Sequence, residues 1–283
     1  MMKKIQIENK EKMLGLYSPD WGYFDYVNCK RHLQILFPYQ GDVKDEKYPL
    51  ILFIPGSAWH KQEMYNDIPQ LAKLASRGFV VAAMEYRESD IAAFPAQIED
   101  VCNALKFIPG IADNFHIDMD EIFLMGNSSG GHVAMMSVLF NAHGLCKEFP
   151  NIAGVVLESA STDLLICAKA DLPAWLKIRP SAALLRVEQI EGNEELARKA
   201  SCGMYIREEI KIPPVLLIHS ECDPVVSVEN SRVLYNQLFS THHEVDYYEL
   251  EGNKAHGGAT YYDDGILDII QAFCNSSCRG TGV

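Results

Sequence analysis

Short continuous apolar runs alternate with longer amphipathic segments along this chain. The runs predict strands, at residues 31–37, 50–54, 79–84, 122–125, 152–157, 215–218 and 245–250. The amphipathic segments predict helices, at residues 68–76, from 95 to about 108, from the turn at 126–131 to about 141, and at 262–273. Buried strands separated by helices are typical of the α/β class, in which helices flank a mostly parallel central sheet. Ligands bind beyond the carboxyl ends of such strands, so we expect the functional residues in the loops that follow them.

The length of the chain favours one large domain over residues 1–283, and 48% hydrophobic residues are enough to fill its core. One stretch, at about 163–211, interrupts the alternation of strands and helices. It is long, mixed in character and interrupted by prolines, and it lies between two predicted strands. We interpret it as a small inserted lid over the ligand site. Residues 1–28 are not assigned to any element.

Residues 126–130 read GNSSG, a Gly-x-Ser-x-Gly pattern that follows a predicted strand and precedes a predicted helix. In that context, a sharp strand-to-helix turn presents a nucleophilic serine. The glycines allow neighbouring backbone to pass close to the strained turn. A frame centred on Ser129 would put Asn127 where the first glycine belongs. Ser128 is therefore the predicted nucleophile, at the positive end of the following helix.

A serine nucleophile needs a base and an acid that orients the base. In folds with this serine turn, the acid and then the histidine follow the serine along the chain. Asp223 lies in the loop at the carboxyl end of the penultimate predicted strand, and His256 lies in a glycine-flanked loop after the last one. Two other acids, Glu221 and Asp163, also follow strands and stay as alternatives to Asp223. The predicted catalytic residues are Ser128, Asp223 and His256.

The oxyanion that forms on a substrate carbonyl needs hydrogen-bond donors. One is expected to be the backbone N–H of Ser129, the residue after the nucleophile. The other is expected from the loop after the strand at 50–54, where residues 55–59 read PGSAW. Small residues let this backbone approach the oxyanion, and Ser57 and Ala58 are the candidate donors. This chemistry needs no metal and no organic cofactor.

The charge and the cysteines exclude several other classes of protein. A formal net charge of −13 disfavours nucleic acids and anionic membranes as partners, because phosphate binding needs clustered Lys and Arg. The N-terminal residues lack the apolar run of a secretory signal, and no run is long enough to span a bilayer. The eight cysteines are scattered without zinc-like spacing, which indicates reduced thiols. A cytoplasmic protein acting on a small-molecule ester is expected, and a homodimer is left open.

Together these motifs resemble the α/β-hydrolase superfamily, from about residue 30 to 275. The resemblance is closest to small carboxylesterases: bacterial feruloyl and acetyl-xylan esterases, hormone-sensitive-lipase-like esterases, and the related kynurenine formamidase. The residues that carry it are 55–59, 86–87, 94–97, 126–132, 223–226 and the loop of His256. The resemblance implies the α/β-hydrolase fold and an ester hydrolase. In these relatives the Tyr-Arg pair is structural, so Arg87 is expected to pair with a nearby acid such as Asp100.

The oxyanion loop departs from the pattern of these families. They usually carry His-Gly-Gly-x-Trp there, whereas this chain has Pro55 and Ser57 with Trp59 kept in register. Trp59 lies beside the predicted reacting centre, and the lid contributes Trp175, so both are candidates for substrate binding. Core packing is the alternative for the lid residue. A short acyl group is expected, as in an acetylated sugar or a small aryl ester. A formamidase, another small-amide hydrolase and a non-catalytic binding relative stay as alternatives.

Overall fold

The computed structural model describes residues 13–26, 29–39, 46–146, 148–170 and 179–279. Within these ranges there are eight strands: β1 Leu14–Tyr26, β2 Cys29–Tyr39, β3 Tyr48–Ile54, β4 Val80–Met84, β5 Ile117–Asn127, β6 Gly154–Glu158, β7 Val215–Ser220 and β8 Val245–Leu250. They form one sheet in the order β1-β2-β4-β3-β5-β6-β7-β8. Strands β3 to β8 are parallel, whereas β2 is antiparallel to both β1 and β4.

Helices cover both faces of this sheet. The helices are α1 Ile68–Ala75, α2 Ala96–Phe107, α3 Ser128–Ala142, α4 Leu164–Cys167, α5 Pro180–Leu185, α6 Glu194–Lys199, α7 Glu229–Ser240 and α8 Asp264–Arg279. Alternate side chains of a strand point to opposite faces. Thus Leu50, Leu52 and Ile54 of β3 pack in one hydrophobic cluster with α2 and α3, whereas Ile51 and Phe53 pack with α1 and α8. Two-sided burial explains the continuous apolar runs, and the predicted α/β fold is confirmed.

Strand β1 is the largest difference from the sequence prediction, which left its segment unassigned. It lies at the edge of the sheet, and its pairing with β2 shifts register between Ser18 and Trp21 and again between Gly22 and Phe24. One face is open to solvent, with Leu14 55% exposed. Bulges and one-sided burial remove both the continuous apolar run and the strict alternation by which strands are recognised.

Helix α7 was also missed, and its composition explains why. Its buried residues are two polar and two apolar side chains, Asn230, Ser231, Leu234 and Leu238, so no clear apolar stripe marks it. The last helix begins at Asp264, slightly later than predicted, because residues 258–262 form a short 3₁₀-helix. None of the helices in the described ranges is long and apolar enough to cross a membrane. The cytoplasmic location stays a prediction.

The connection between β6 and β7 holds the segment predicted as a lid. It contains α4, α5, α6 and a short 3₁₀-helix at Cys202–Tyr205. The two ends of this connection are joined by a hydrogen bond, because the N–H of Cys202 donates to the carbonyl of Thr162, in the loop after β6, over 2.9 Å. Residues 171–178, including Trp175, lie outside the described residues. The lid role and the single-domain assignment stay predictions.

Arg87 pairs with Asp100, as predicted, and the pair is buried. The Nε of Arg87 donates to Asp100 Oδ1 over 2.9 Å, and the backbone N–H of Arg87 donates to Oδ2 over 2.6 Å. The guanidinium also donates to Glu99 over 2.7 Å and to the carbonyl of Ala96 over 3.0 Å. A buried ion pair with this many hydrogen bonds fixes the start of α2 against the loop after β4.

Candidate active site

Ser128 lies at the turn between β5 and α3, where the sequence predicts it. Its φ of 51° is in the left-handed region that non-glycine residues rarely adopt. A Cβ at Gly126 would lie 2.5 Å from the carbonyl oxygen of Gly130, and a Cβ at Gly130 would lie 1.9 Å from that of Ile54. Only glycine fits at these two positions. The close packing therefore holds Ser128 at the amino end of α3.

The structure brings Ser128, His256 and Asp223 together in one hydrogen-bonded chain. Ser128 Oγ lies 3.1 Å from His256 Nε2, and His256 Nδ1 lies 2.8 Å from Asp223 Oδ2. The three residues follow three different strands, β5, β8 and β7. The side chain of His256 is 21% exposed and that of Asp223 is fully buried. This geometry suits transfer of the hydroxyl proton to the imidazole.

The carboxylate of Asp223 is fixed by several donors. The backbone N–H groups of Val225 and Val226 donate to Oδ1 over 2.8 and 2.9 Å, and His219 Nε2 lies 3.5 Å from Oδ2. Burial opposes ionisation, but the hydrogen bonds with His219 and His256 hold the pKa of Asp223 well below its usual range. An ionised carboxylate keeps a proton on Nδ1 of His256 and leaves Nε2 free to accept one.

The two alternative acids have other partners. Asp163 caps α4, where its carboxylate accepts from the N–H groups of Leu165 and Ile166 over 2.7 and 3.1 Å. Glu221 accepts from the backbone N–H of Gly252 over 2.7 Å. Of the three acids weighed from the sequence, Asp223 is the one that contacts the histidine.

The loop after β3 lies against the serine turn, as the oxyanion prediction requires. The N–H of Ser57 donates to Ser129 Oγ over 2.9 Å and is therefore already engaged. Ala58 has a positive φ of 53°, and its N–H donates to no backbone or side-chain acceptor in the described part of the chain. The N–H of Ser129 lies in the first turn of α3, where helix donors have no intrahelical acceptor. Ala58 and Ser129 are thus better placed than Ser57 among the candidates.

A buried hydroxyl cluster gives Ser57 of this loop a structural role. The hydroxyl of Tyr86, which is fully buried, donates to the carbonyl of Pro55 over 3.1 Å. It also lies 3.0 Å from Ser57 Oγ and 3.3 Å from Ser129 Oγ. Ser57 Oγ in turn donates to the carbonyl of His60 over 2.6 Å. The cluster ties both ends of the loop to the serine turn, a role for Tyr86 that sequence reasoning missed.

Asn127, the residue before Ser128, connects the same two segments. Its Oδ1 accepts a hydrogen bond from the backbone N–H of Gly56. A Cβ at Gly56 would lie 2.7 Å from the Cβ of Ser128, so the loop can approach this closely only with glycine there. The sequence predicted no role for Asn127, because its partner Gly56 is 71 residues away.

Trp59 is packed rather than open. It is 2% exposed, and its indole N–H donates to Nδ1 of His132 over 3.1 Å. Because an indole N–H can only donate, the ring proton of His132 is on Nε2, which donates to the carbonyl of Ala200 over 2.7 Å. Burial lowers the pKa of His132 to about 4, so the ring is neutral near pH 7. His132 thereby links the oxyanion loop, α3 and the β6–β7 connection.

Two separate spaces open beside Ser128, and both are bordered by Ala58 and Val225. The smaller one has a volume of about 70 Å³, and the β6–β7 connection forms much of its wall. The other described residues around it include Trp59, Cys167, Ala170, Pro180, Ser181 and Val226. The larger one is a cleft of about 440 Å³ that also contains His256. Its polar lining includes Lys61, Glu63, Asn66, Asp67, Asn127 and Ser159.

A second carboxyl group, Glu158, is buried at the end of β6. It is 0% exposed, and neither of its oxygens has a hydrogen-bond partner among the described residues. Burial, together with the negative charge of Asp67, raises the pKa of Glu158 to about 8. The carboxyl is therefore mainly protonated near pH 7. Its burial could not be predicted from the sequence, since a glutamate at the end of a strand is usually exposed.

We expect the E158Q substitution to remove a pH-dependent loss of stability. The pKa of Glu158 rises from about 4.5 in the unfolded chain to about 8 in the fold. Its contribution to stability is therefore fully present below about pH 4.5 and is lost as the pH rises through about 8. Relative to E158Q, the wild type should therefore lose roughly 3 kcal/mol of unfolding free energy between pH 5.5 and 8.5. Denaturant unfolding at both pH values measures this, with E188Q at an exposed site as control. Parallel pH profiles for wild type and E158Q would contradict it.

The order of the strands and the strained serine after β5 define an α/β hydrolase. This is the fold class that the motifs predicted. Within that class, the sequence profile of the BD-FAE family matches residues 33–238, which is most of the chain. The chain belongs to the BD-FAE family, and the predicted resemblance to small esterases is confirmed.

Comparison with individual proteins agrees with this assignment. The chain is 28% identical over 228 residues to esterase LipC of Mycobacterium tuberculosis, across 76% of this chain and 54% of that protein. It superposes on a truncated carbohydrate esterase from gut microbiota with a TM-score of 0.77 at 22% identity, covering 93% and 97% of the two chains. It superposes on a butyrate-bound esterase of Thermogutta terrifontis with a TM-score of 0.70 at 20% identity, covering 91% and 93%. The chain spans about half the length of the curated relatives it matches.

Proposed function

We propose that this chain hydrolyses small carboxylic esters with Ser128 as nucleophile, His256 as general base and Asp223 as orienting acid. The observation that carries the proposal is the hydrogen-bonded chain from Ser128 Oγ through His256 to Asp223, with distances of 3.1 and 2.8 Å. Both distances are within the reach that proton transfer needs. Every relative reported above is named as an esterase, in agreement with the predicted class of enzyme.

The first half of the reaction transfers the acyl group to the enzyme. His256 Nε2 takes the hydroxyl proton as Ser128 Oγ attacks the ester carbonyl. The resulting oxyanion accepts hydrogen bonds from the N–H groups of Ser129 and Ala58. His256 then gives its proton to the leaving alcohol, and Ser128 carries the acyl ester. In the second half, water loses a proton to His256 and attacks this ester, and His256 returns the proton to Ser128 Oγ as the acid leaves.

The smaller space beside Ser128 supports a short acyl group. A cavity of about 150 Å³ accommodates a benzene ring. A space of about 70 Å³ is about half of that volume, which favours an acetyl group over an aromatic acyl group such as feruloyl. Acetyl esters should therefore be cleaved much faster than feruloyl esters.

The larger cleft supports a polar alcohol on the other side of the scissile bond. Its wall offers an amide from Asn66, charged groups from Lys61, Glu63 and Asp67, and the hydroxyl of Ser159. Such groups form hydrogen bonds with the hydroxyls of a sugar. The name of the gut structural neighbour, a carbohydrate esterase, agrees with this substrate class. An acetylated sugar is accordingly the proposed substrate.

Labelling with a fluorophosphonate probe, followed by peptide mass spectrometry, tests the proposal. The label should be found on Ser128, and its absence would favour a non-catalytic binding relative. Rates with p-nitrophenyl acetate, p-nitrophenyl butyrate, methyl ferulate and an acetylated xylo-oligosaccharide then test the acyl and alcohol assignments. Equal rates on methyl ferulate and the acetyl esters would overturn the short-acyl assignment.

Formamide hydrolysis is the second candidate, because the space of about 70 Å³ also accommodates a formyl group. The same nucleophile and base would act, with an amine as the leaving group. Comparing kcat/KM for p-nitrophenyl acetate and N-formylkynurenine distinguishes the two functions. A higher value for N-formylkynurenine would identify a formamidase.

Replacing Asn127 by alanine should slow the reaction without weakening substrate binding. The hydrogen bond from the N–H of Gly56 would be lost, and the oxyanion loop would be less well positioned. We expect kcat to fall about 10-fold to 100-fold with KM little changed. Asn66 lines the same cleft, so N66A is the matched control and should affect KM rather than kcat. An effect of N127A on KM alone would contradict the positioning role.

A further inference from the structure

Two cysteines far apart in the sequence lie side by side in the fold. Cys102 is on α2, and Cys146 follows the end of α3. The Sγ of Cys102 lies 3.2 Å from the Sγ of Cys146, at hydrogen-bond distance, and both are free thiols. A disulfide requires a separation of about 2.0 Å, so the two sulfurs need to approach each other by about 1 Å.

The pair is reachable from solvent. Both cysteines are partly exposed, and they border a surface cavity of about 460 Å³ between α2 and the end of α3. The other described residues around this cavity are Pro95, Ile98, Glu99, Asn103, Phe140 and Leu145. By contrast, Cys202 and Cys274 are buried. A small thiol-reactive molecule can therefore reach this pair in the folded protein.

The hydrogen bond between the sulfurs shifts the pKa values of the two thiols in opposite directions. As the donor, Cys102 has a raised pKa, whereas acceptance of this hydrogen bond lowers the pKa of Cys146. Since the thiolate is the nucleophilic form, Cys146 is the attacking group and Cys102 the resolving group.

We propose that Cys102 and Cys146 form a dithiol–disulfide site that low-molecular-weight disulfides oxidise reversibly, covalently tying α2 to the segment after α3. The thiolate of Cys146 attacks one sulfur of oxidised glutathione and releases one glutathione thiolate. The thiolate of Cys102 then attacks the Cys146 sulfur of the mixed disulfide and releases the second. The protein loses two protons and two electrons, and one glutathione disulfide becomes two glutathione molecules.

The bond would stabilise the fold while leaving the candidate active site in place. It would close a loop of 44 residues, which restricts the unfolded chain. We expect the melting temperature Tm to rise on the order of 5 °C. Ser128 begins α3 and Cys146 follows its other end, roughly 20 Å away at 1.5 Å per residue. The cross-link should therefore leave esterase activity unchanged, and the C222S background measures this without glutathione beside Asp223.

Incubating the folded wild-type protein with excess oxidised glutathione tests the proposal. The expected products are a peptide pair cross-linked between Cys102 and Cys146, an increased Tm, and the return of both thiols with dithiothreitol. The exposed Cys222, which forms no sulfur–sulfur contact within the described residues, serves as the internal control and should take up glutathione singly.

The C102S and C146S variants complete the test. Each should take up one glutathionyl group on the remaining cysteine of the pair and show no increase in Tm. Wild-type protein in which both cysteines carry glutathione without a cross-link would overturn the proposal. An unchanged Tm after complete cross-linking would overturn the stabilising effect. The mass measurement on wild type needs no variant, and neither outcome depends on the proposed esterase activity.

Discussion

Replacing Ser128 by alanine is expected to lower kcat/KM for p-nitrophenyl acetate by about 10⁴-fold or more. The change removes the oxygen that lies 3.1 Å from His256 Nε2, so no acyl-enzyme can form. Alanine occupies no more space than serine, and the oxyanion donors are untouched. The strained φ of 51° is as unfavourable for alanine as for serine, so the fold should be retained. Circular dichroism and Tm check this.

The neighbouring serine provides a matched control for this prediction. S129A removes a hydroxyl from the same turn, one that contacts Ser57 and Tyr86 rather than His256. Looser packing of the oxyanion loop should cost S129A about 10-fold in kcat, far less than S128A. Fluorophosphonate labelling should be retained in S129A and lost in S128A. If S128A kept its activity and its label, Ser128 would not be the nucleophile.

Replacing Asp223 by asparagine is expected to lower kcat by about 10⁴-fold. The two side chains are nearly the same size. The amide oxygen can still accept from Val225 and Val226, so the loop should keep its shape. The amide nitrogen would then face His256 Nδ1 and donate to it. That favours the tautomer with its proton on Nε2, which cannot accept the proton of Ser128. Initial rates with p-nitrophenyl acetate at saturation measure the loss.

The alternative acid provides the control. D163N keeps an oxygen for capping α4 and does not approach His256, so its kcat should remain close to that of the wild type. E221Q should behave in the same way, because its partner is Gly252. If D163N lost as much activity as D223N, the orienting acid would be Asp163, in the loop after β6.

The central strands and the order of the chemical groups could be predicted because local sequence determines them. Strands β3 to β7 are buried on both faces, so each contains a continuous apolar run. The Ser128 turn needs glycines within a few residues, and these are visible in the motif. Asp223 and His256 lie in the loops that follow β7 and β8, within six residues of the strand ends, so the predicted strands were enough to select them.

The parts that were missed depend on partners distant in sequence. Tyr86 contacts Ser57 and Ser129, 29 and 43 residues away, and its place in the hydroxyl cluster has no local signature. The same holds for Asn127 and Gly56. Ser57 shows most clearly what the sequence cannot predict. Its N–H is a candidate oxyanion donor from the sequence, but in the structure it donates to Ser129 Oγ. Which backbone donors remain free is decided by tertiary packing.

The two spaces beside Ser128 are built by different stretches of chain. Much of the smaller one is formed by the β6–β7 connection, including Cys167, Ala170 and Ser181, whereas the larger one is bordered by residues 61–67 and the loop of His256. Under the proposed assignment, substitutions in the β6–β7 connection would change acyl preference and leave alcohol preference unaltered. In laboratory evolution, libraries confined to either stretch should separate the two specificities, with the serine turn conserved between them.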